Sequence, residues 1–129
     1  MSFDMYQEHI LEHYEDPYHR GALAHPTLEY HDYNPLCGDE VRVQACLDDQ
    51  GRLVEAWFEG QGCVISQASA SMLMQAVEGK TLAEIKQIDR QEMLDLLGIS
   101  LTPMRVKCAM LALRTLAKAI VDYEGRQEG

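Results

Sequence analysis

Between residues 40 and 47 the chain alternates apolar and polar side chains, and after Cys63 it does not. Val41, Val43, Ala45 and Leu47 alternate with Arg42, Gln44 and Cys46, which is the period of a half-buried strand. Asp48-Asp49-Gln50-Gly51 reads as a turn, and residues 52–59 return as a strand. So short a connection makes the pair antiparallel. Residues 27–33 are the candidate for a third strand, ahead of these two. Beyond Cys63 the spacing predicts helices over 65–78, 81–88 and 90–97, with Gly79 and Gly98 as stops. A last helix starts at Thr102 as N-cap, with Pro103 at its first position, and runs to about Tyr123, leaving Gly125 to Gly129 frayed.

Ahead of the strands, Phe3, Tyr6, Ile10 and Tyr14 fall on one face of a helix over 3–15. Ser2 is placed to cap it, Asp4 favours its first turn, and Asp16-Pro17 stops it. A loop over 18–26 follows. Strands first and helices afterwards predict an α+β fold: a small three-stranded antiparallel sheet covered by helices, in a single domain over 1–129.

The charge balance narrows the function. Eleven Lys and Arg stand against 21 Asp and Glu, a net charge of -10. Such a chain repels phosphate backbones, which argues against nucleic-acid binding. The longest wholly apolar stretch, Cys108 to Leu113, is far short of a membrane span. Met1 to Asp16 is acidic and has no apolar core of a secretion signal, so the expectation is a cytoplasmic protein. Cys37, Cys46, Cys63 and Cys108 are then reduced, and cysteines set among glycines and acids point to metal or sulfur chemistry before disulfides.

Three of these cysteines sit at predicted element ends. Cys37-Gly38-Asp39 lies in the turn before a strand, and Gly38 permits a sharp path that lets thiol and carboxylate face one point. Cys63 follows Gly60-Gln61-Gly62 where strand meets helix, and amides at a helix start stabilise a thiolate. Cys108 points away from the apolar face formed by Val106, Ala109, Met110, Leu113, Leu116, Ala117 and Ile120, beside Arg105 and Lys107. Three thiols and one carboxylate can form a four-ligand zinc site, or hold an iron–sulfur unit. Arg105 and Lys107 are placed to offset its negative charge. The bland alternative is a set of scattered cysteines, two of them core fillers, because the intervals make no CxxC signature. Cys46 shares a strand face with Arg42 and Gln44 and reads as a spectator.

A competing pattern is His9-Ile10-Leu11-Glu12-His13, which fits the H-x-x-E-H form of a zinc hydrolase. With three fixed letters in five it is loose, and a solvated helix face explains it better. His19, His25 and His31 carry no clear signal.

At these residues the chain resembles the IscU/SufU/NifU N-terminal-domain family of iron–sulfur cluster assembly proteins. The resemblance runs from about Tyr6 to Leu116. It rests on Ile10-Leu11-Glu12-His13-Tyr14 with Pro17 and Gly21, and on Asn34-Pro35-Leu36-Cys37-Gly38-Asp39. Further marks are Gly60-Gln61-Gly62-Cys63-Val64-Ile65-Ser66, Ala68-Ser69-Ala70-Ser71 and Arg105-Val106-Lys107-Cys108-Ala109. The resemblance implies an α/β sandwich with three cysteines at one end. It implies that Cys37, Asp39, Cys63 and Cys108 bind zinc or a transient [2Fe–2S] or other cluster. It implies a cysteine desulfurase of the SufS or IscS type as sulfur donor, and apo iron–sulfur proteins or downstream carriers as recipients. Two roles follow: a scaffold that is not itself an enzyme, or an acceptor with zinc-dependent sulfurtransferase activity; the alternative is a zinc-binding structural or regulatory module without chemistry. Lys107 before Cys108 is SufU-like, where IscU-type proteins carry His, but the interval from Cys63 to Cys108 leaves no room for the SufU insertion. The chaperone-binding Leu-Pro-Pro-Val-Lys segment of IscU-type proteins reads Leu101-Thr102-Pro103-Met104-Arg105 here, which bears against an Hsp70-type partner. The resemblance also implies Cys37 or Cys108 as the sulfur-carrying thiol, with Lys107 favouring Cys37.

Overall fold

The computed structural model describes residues 2–35 and 38–128. Helix α1 (Ser2–Glu15) precedes three strands, β1 (Leu28–Asn34), β2 (Asp39–Leu47) and β3 (Leu53–Gln61). Helices α2 (Val64–Val77), α3 (Leu82–Lys86), α4 (Arg90–Leu97) and α5 (Pro103–Glu128) follow. The sheet is an antiparallel meander in the order β1-β2-β3, as the alternation of β2 and the short turn require.

Register sets which side chains meet the helices. Tyr30, Val43 and Phe58 lie abreast, as do Leu28, Ala45 and Ala56. Val43, Ala45, Ala56 and Phe58 are fully or almost fully buried beneath α2 and α5. Burying a side chain the size of Val43 or Phe58 contributes about 1.5–3 kcal/mol. Asp32 also faces this side, and Arg114 and Lys118 of α5 reach it at 3.4 and 2.8 Å. On the opposite face the polar Gln44 is buried. The loop before β1 folds over it: the Leu23 amide donates to its Oε1 and its Nε2 donates to Glu29. The same loop hydrogen-bonds along the β3 edge, with the Phe58 amide donating to His19 and the Gly21 amide donating back to Phe58.

Gly98 ends α4 in the left-handed region, as its place in the sequence predicts, while Thr81 caps α3 in a capping box with Glu84 and Asp89 caps α4. Helix α3 is shorter than the helix expected over 81–88. Three further expectations change. Ser2 lies within α1 rather than ahead of it. Among the described side chains of α1, Ile10 is buried and His13 half-buried while Tyr14 is exposed, because α1 lies along α2 and presents His13 to Ser71; the side chains of Phe3 and Tyr6 lie outside those described. Helix α5 does not fray after Tyr123 but continues to Glu128, where Arg126 pairs with Asp122 one turn back. No helix of the described residues is long and apolar enough to cross a membrane.

Candidate metal and sulfur site

Asp39 opens β2 on the face that looks toward the helices, Cys63 is the N-cap of α2, and Cys108 lies in the second turn of α5. Three element ends therefore converge at one end of the sheet. A carboxylate oxygen of Asp39 and the sulfurs of Cys63 and Cys108 all lie within 4.8 Å of one another. Among the described residues this is the one group of three or more such donors so placed. Cys37 lies outside the described residues. Its neighbour Gly38 has φ +74, a backbone state that favours glycine, and its amide donates to the Asn34 carbonyl.

Asp39 is 3% exposed and tightly held. The Cys63 amide donates to its Oδ1 at 3.1 Å, and its Oδ2 lies 3.8 Å from Cys63 Sγ. Gly62 makes this approach possible. A Cβ there would lie 2.4 Å from Ser66 Oγ and 2.6 Å from Asp39 Oδ1. Ser66 in turn donates to the Cys63 carbonyl at 3.0 Å. Gly60 is equally confined, since a Cβ there would lie 2.1 Å from the Glu40 carbonyl oxygen. The repeated glycine of Gly60-Gln61-Gly62 was the available signal for both close approaches; the part of Ser66 carried none.

Cys108 departs from its expected setting. The spacing places it off the apolar face, yet it is only 2% exposed and lies in line with buried Ala112, Thr115 and Ala119, whereas Ala117 of the expected face is exposed. A single apolar stripe describes a helix covered on one face, whereas α5 packs against β1 and β2 on one side and α2 on another. Arg105 and Cys108 line a cleft of about 480 Å³ together with Asp39, Gly62 and Cys63. Lys107 is exposed and does not line it, so of the two expected cations Arg105 alone borders the thiols. A more apolar groove, formed by Ile10, Leu11, Tyr14, Ile65 and Ile99, adjoins the cleft and shares Cys63 and Arg105 with it.

The donor set suits zinc. Two thiolates and a carboxylate, largely withdrawn from water, match the soft and tetrahedral preferences of that ion and leave one position for a further ligand. The same thiols suit an iron–sulfur unit.

The other candidates lie elsewhere. Cys46 is at the far end of β2, about 20 Å along the strand from Asp39, with its Sγ 3.6 Å from the His25 carbonyl. His9 donates through Nε2 to the Leu97 carbonyl at 2.8 Å, and His13 Nδ1 meets Ser71 Oγ at 2.7 Å. Both rings thus tie α1 to its neighbours, and Glu12 stays exposed. His19 is stacked between Tyr18 and Trp57 and bonds Glu78 through Nδ1 at 2.8 Å, a fastening of the loop to the end of α2.

Residues 5–129 match the family model described as the NifU-like N terminal domain. The zinc-dependent sulfurtransferase SufU of Bacillus subtilis is 37% identical over 139 aligned residues, which cover 94% of this chain and 92% of that protein. Those 139 aligned positions exceed the 129 residues here, so that relative carries residues this chain lacks. The iron–sulfur cluster assembly scaffold protein IscU of Haemophilus influenzae is 33% identical over 130 residues, 95% of this chain and 98% of that one. Among solved structures, the N-terminal part of a nitrogen-fixing NifU-like protein from Brucella abortus superposes with a TM-score of 0.76 at 25% identity. It covers 95% of this chain and 96% of its own.

Proposed function

Because the chain belongs to the NifU-like N-terminal-domain family, we propose that it serves iron–sulfur cluster assembly through Cys37, Asp39, Cys63 and Cys108. It accepts persulfide sulfur from a cysteine desulfurase, and the same set holds a nascent cluster as cargo on its way to apo iron–sulfur proteins. The observation that carries this reading is the convergence of Asp39, Cys63 and Cys108 within 4.8 Å. Zinc is the metal of the resting site; when bound it supplies the charge that keeps the thiols deprotonated.

The transfer step needs a reachable thiolate. It attacks the outer sulfur of the donor's persulfide, the donor's S–S bond breaks, and the donor leaves as a thiolate while the acceptor keeps the sulfur as its own persulfide. Asp39 stays in place through this exchange, because the Cys63 amide holds one of its oxygens. Arg105, at the border of the cleft, faces the anionic sulfur that arrives.

The acceptor role is favoured over the scaffold role. Lys107 is exposed and off the cleft, so it does not supply the extra ligand that a histidine before the third cysteine gives IscU-type proteins. Anaerobic incubation with iron, cysteine and a desulfurase separates the two. Sulfane sulfur on the protein without a lasting chromophore is the expected result, and a stable, transferable chromophore puts the scaffold first. Finding neither overturns the reading.

A further inference from the structure

The cleft contains two thiols with no covalent bond between them and no more than 4.8 Å from sulfur to sulfur. We propose that the metal-free protein is a peroxide-responsive dithiol, in which Cys63 and Cys108 close into a disulfide that shuts the site. The inference concerns the site of the preceding section and rests on that reading only for the part played by zinc.

Exposure divides the labour. Cys63 is half-buried and reachable from the cleft, whereas Cys108 is 2% exposed. The Cys63 thiolate, at the N-terminus of α2, attacks hydrogen peroxide: an S–O bond forms, the O–O bond breaks and hydroxide leaves. The resulting sulfenic acid lies within reach of Cys108. Its thiolate attacks the sulfur, an S–S bond forms, the S–O bond breaks and a second hydroxide leaves. Two thiolates are oxidised by two electrons and one peroxide is reduced.

The disulfide leaves Asp39 on the Cys63 amide that already holds it. Closure needs a sulfur-to-sulfur distance of about 2 Å, and rotation about the Cα–Cβ bonds of the two cysteines is the movement that brings the sulfurs together. Cys46, at the other end of β2, is out of reach. The linked form lacks two thiolates of the metal set, and a thiol reductant restores them.

The test treats chelator-stripped full-length protein with one equivalent of hydrogen peroxide, then alkylates and maps peptides without reduction. A Cys63–Cys108 cross-linked peptide pair, lighter by two hydrogens, is expected in wild-type and in Cys37→Ser protein. In Cys108→Ser protein, dimedone is expected to trap a sulfenic acid on Cys63. Recovery of both residues as alkylated thiols or sulfinic acids overturns the proposal, and so does a link from either of them to Cys37 instead. Zinc added beforehand is expected to cut the yield at least tenfold. A link that forms equally with zinc supports the pairing and counts against the metal reading, so the two fail separately.

Discussion

The Cys63 amide donates to Asp39 Oδ1 at 3.1 Å, and the other oxygen of the same carboxylate lies 3.8 Å from Cys63 Sγ. Helix α2 has no acidic residue in its first turn, and the Cys63 side chain makes no cap of its own. Asp39, delivered by β2, takes that part, as the glutamate of a capping box does from within a helix. One residue thus joins the end of the sheet to the start of α2 and aims an oxygen at the thiols.

This arrangement predicts the consequence of filling Gly62. In Gly62→Ala the new methyl would lie 2.6 Å from Asp39 Oδ1 and 2.4 Å from Ser66 Oγ, so the carboxylate must move off the Cys63 amide. The expected cost is about 1–3 kcal/mol of stability, with zinc content falling below half of wild type. Gly125→Ala is the control, because nothing lies within 4 Å of a Cβ there; it should hold full metal and gain slightly in stability. Urea unfolding and metal analysis of the two variants decide the matter. Unchanged metal content in Gly62→Ala would remove the close approach as a constraint.

Zinc stoichiometry distinguishes the ligand set from its surroundings. Cys63→Ala and Cys108→Ala should each lose most of the bound zinc, and Asp39→Ala should bind it at least about tenfold more weakly, the loss of one charged donor. Cys46→Ala should keep it in full, since Cys46 stands at the opposite end of β2. A protein with Cys37, Cys63 and Cys108 all changed to Ser should bind none. Stoichiometric zinc in that triple variant, together with peptide cleavage, would bring back His9, Glu12 and His13 as a hydrolytic site.

The sheet was legible because alternation in β2 is a local signal, and one hairpin turn fixes how the next strand pairs. β1 was harder. Its Glu29, His31 and Asp32 make a polar segment, and Asp32 faces inward only because Arg114 and Lys118 arrive from α5 to meet it. That is a long-range fact, like the cover over Gln44 and the burial of Cys108. Periodicity describes one element at a time, and a helix packed on two sides buries residues that a single stripe leaves out. The site was more legible than the packing around it. Glycines beside cysteines at element ends announce close backbone approaches, and Asp39, Cys63 and Cys108 meet as that pattern suggested. The hydrogen bond of His13 to α2 had no sequence signature at all.

That hydrogen bond carries a pH dependence. Burial lowers the pKa of His13 from its usual 6.5, His9 lowers it further, and Glu12 opposes both. The Tyr18 amide donates to Ser71 Oγ, so the Ser71 hydroxyl is free to donate to the neutral Nδ1 of His13. Protonation of the ring removes that acceptor. As pH falls through 6.5 toward the lower native value, the unfolded chain binds a proton that the native state refuses, so stability falls. The effect is absent above the unfolded value and complete below the native one. His13→Gln keeps an acceptor for Ser71 without a titrating ring. The difference in unfolding free energy between wild type and this variant should therefore shrink as the pH is lowered from 7.5 to 5.5. A difference that grows in wild type's favour on acidification would contradict the assignment.

The identity of the sulfur-carrying thiol follows from accessibility. An acceptor must be a thiolate, must be reachable by a partner's persulfide, and must leave the metal without unfolding the domain. Cys108 is 2% exposed and fixed on α5. Cys63 caps α2, its amide is bonded to Asp39, and Gly60 and Gly62 leave its backbone no slack. Cys37 precedes Gly38, which is exposed and turns through φ +74. The prediction is that Cys37 receives the sulfur first and that Cys108 comes second. Protein incubated with a desulfurase and cysteine, then alkylated and mapped by peptide mass, should carry sulfane sulfur on the Cys37 peptide. Cys37→Ala should lower total sulfane sulfur at least tenfold while the fold, read from helical circular dichroism, is kept. Wild-type loading of Cys108 in the Cys37→Ala protein would show that burial in the resting structure does not limit the transfer, and Cys108 would then be the acceptor.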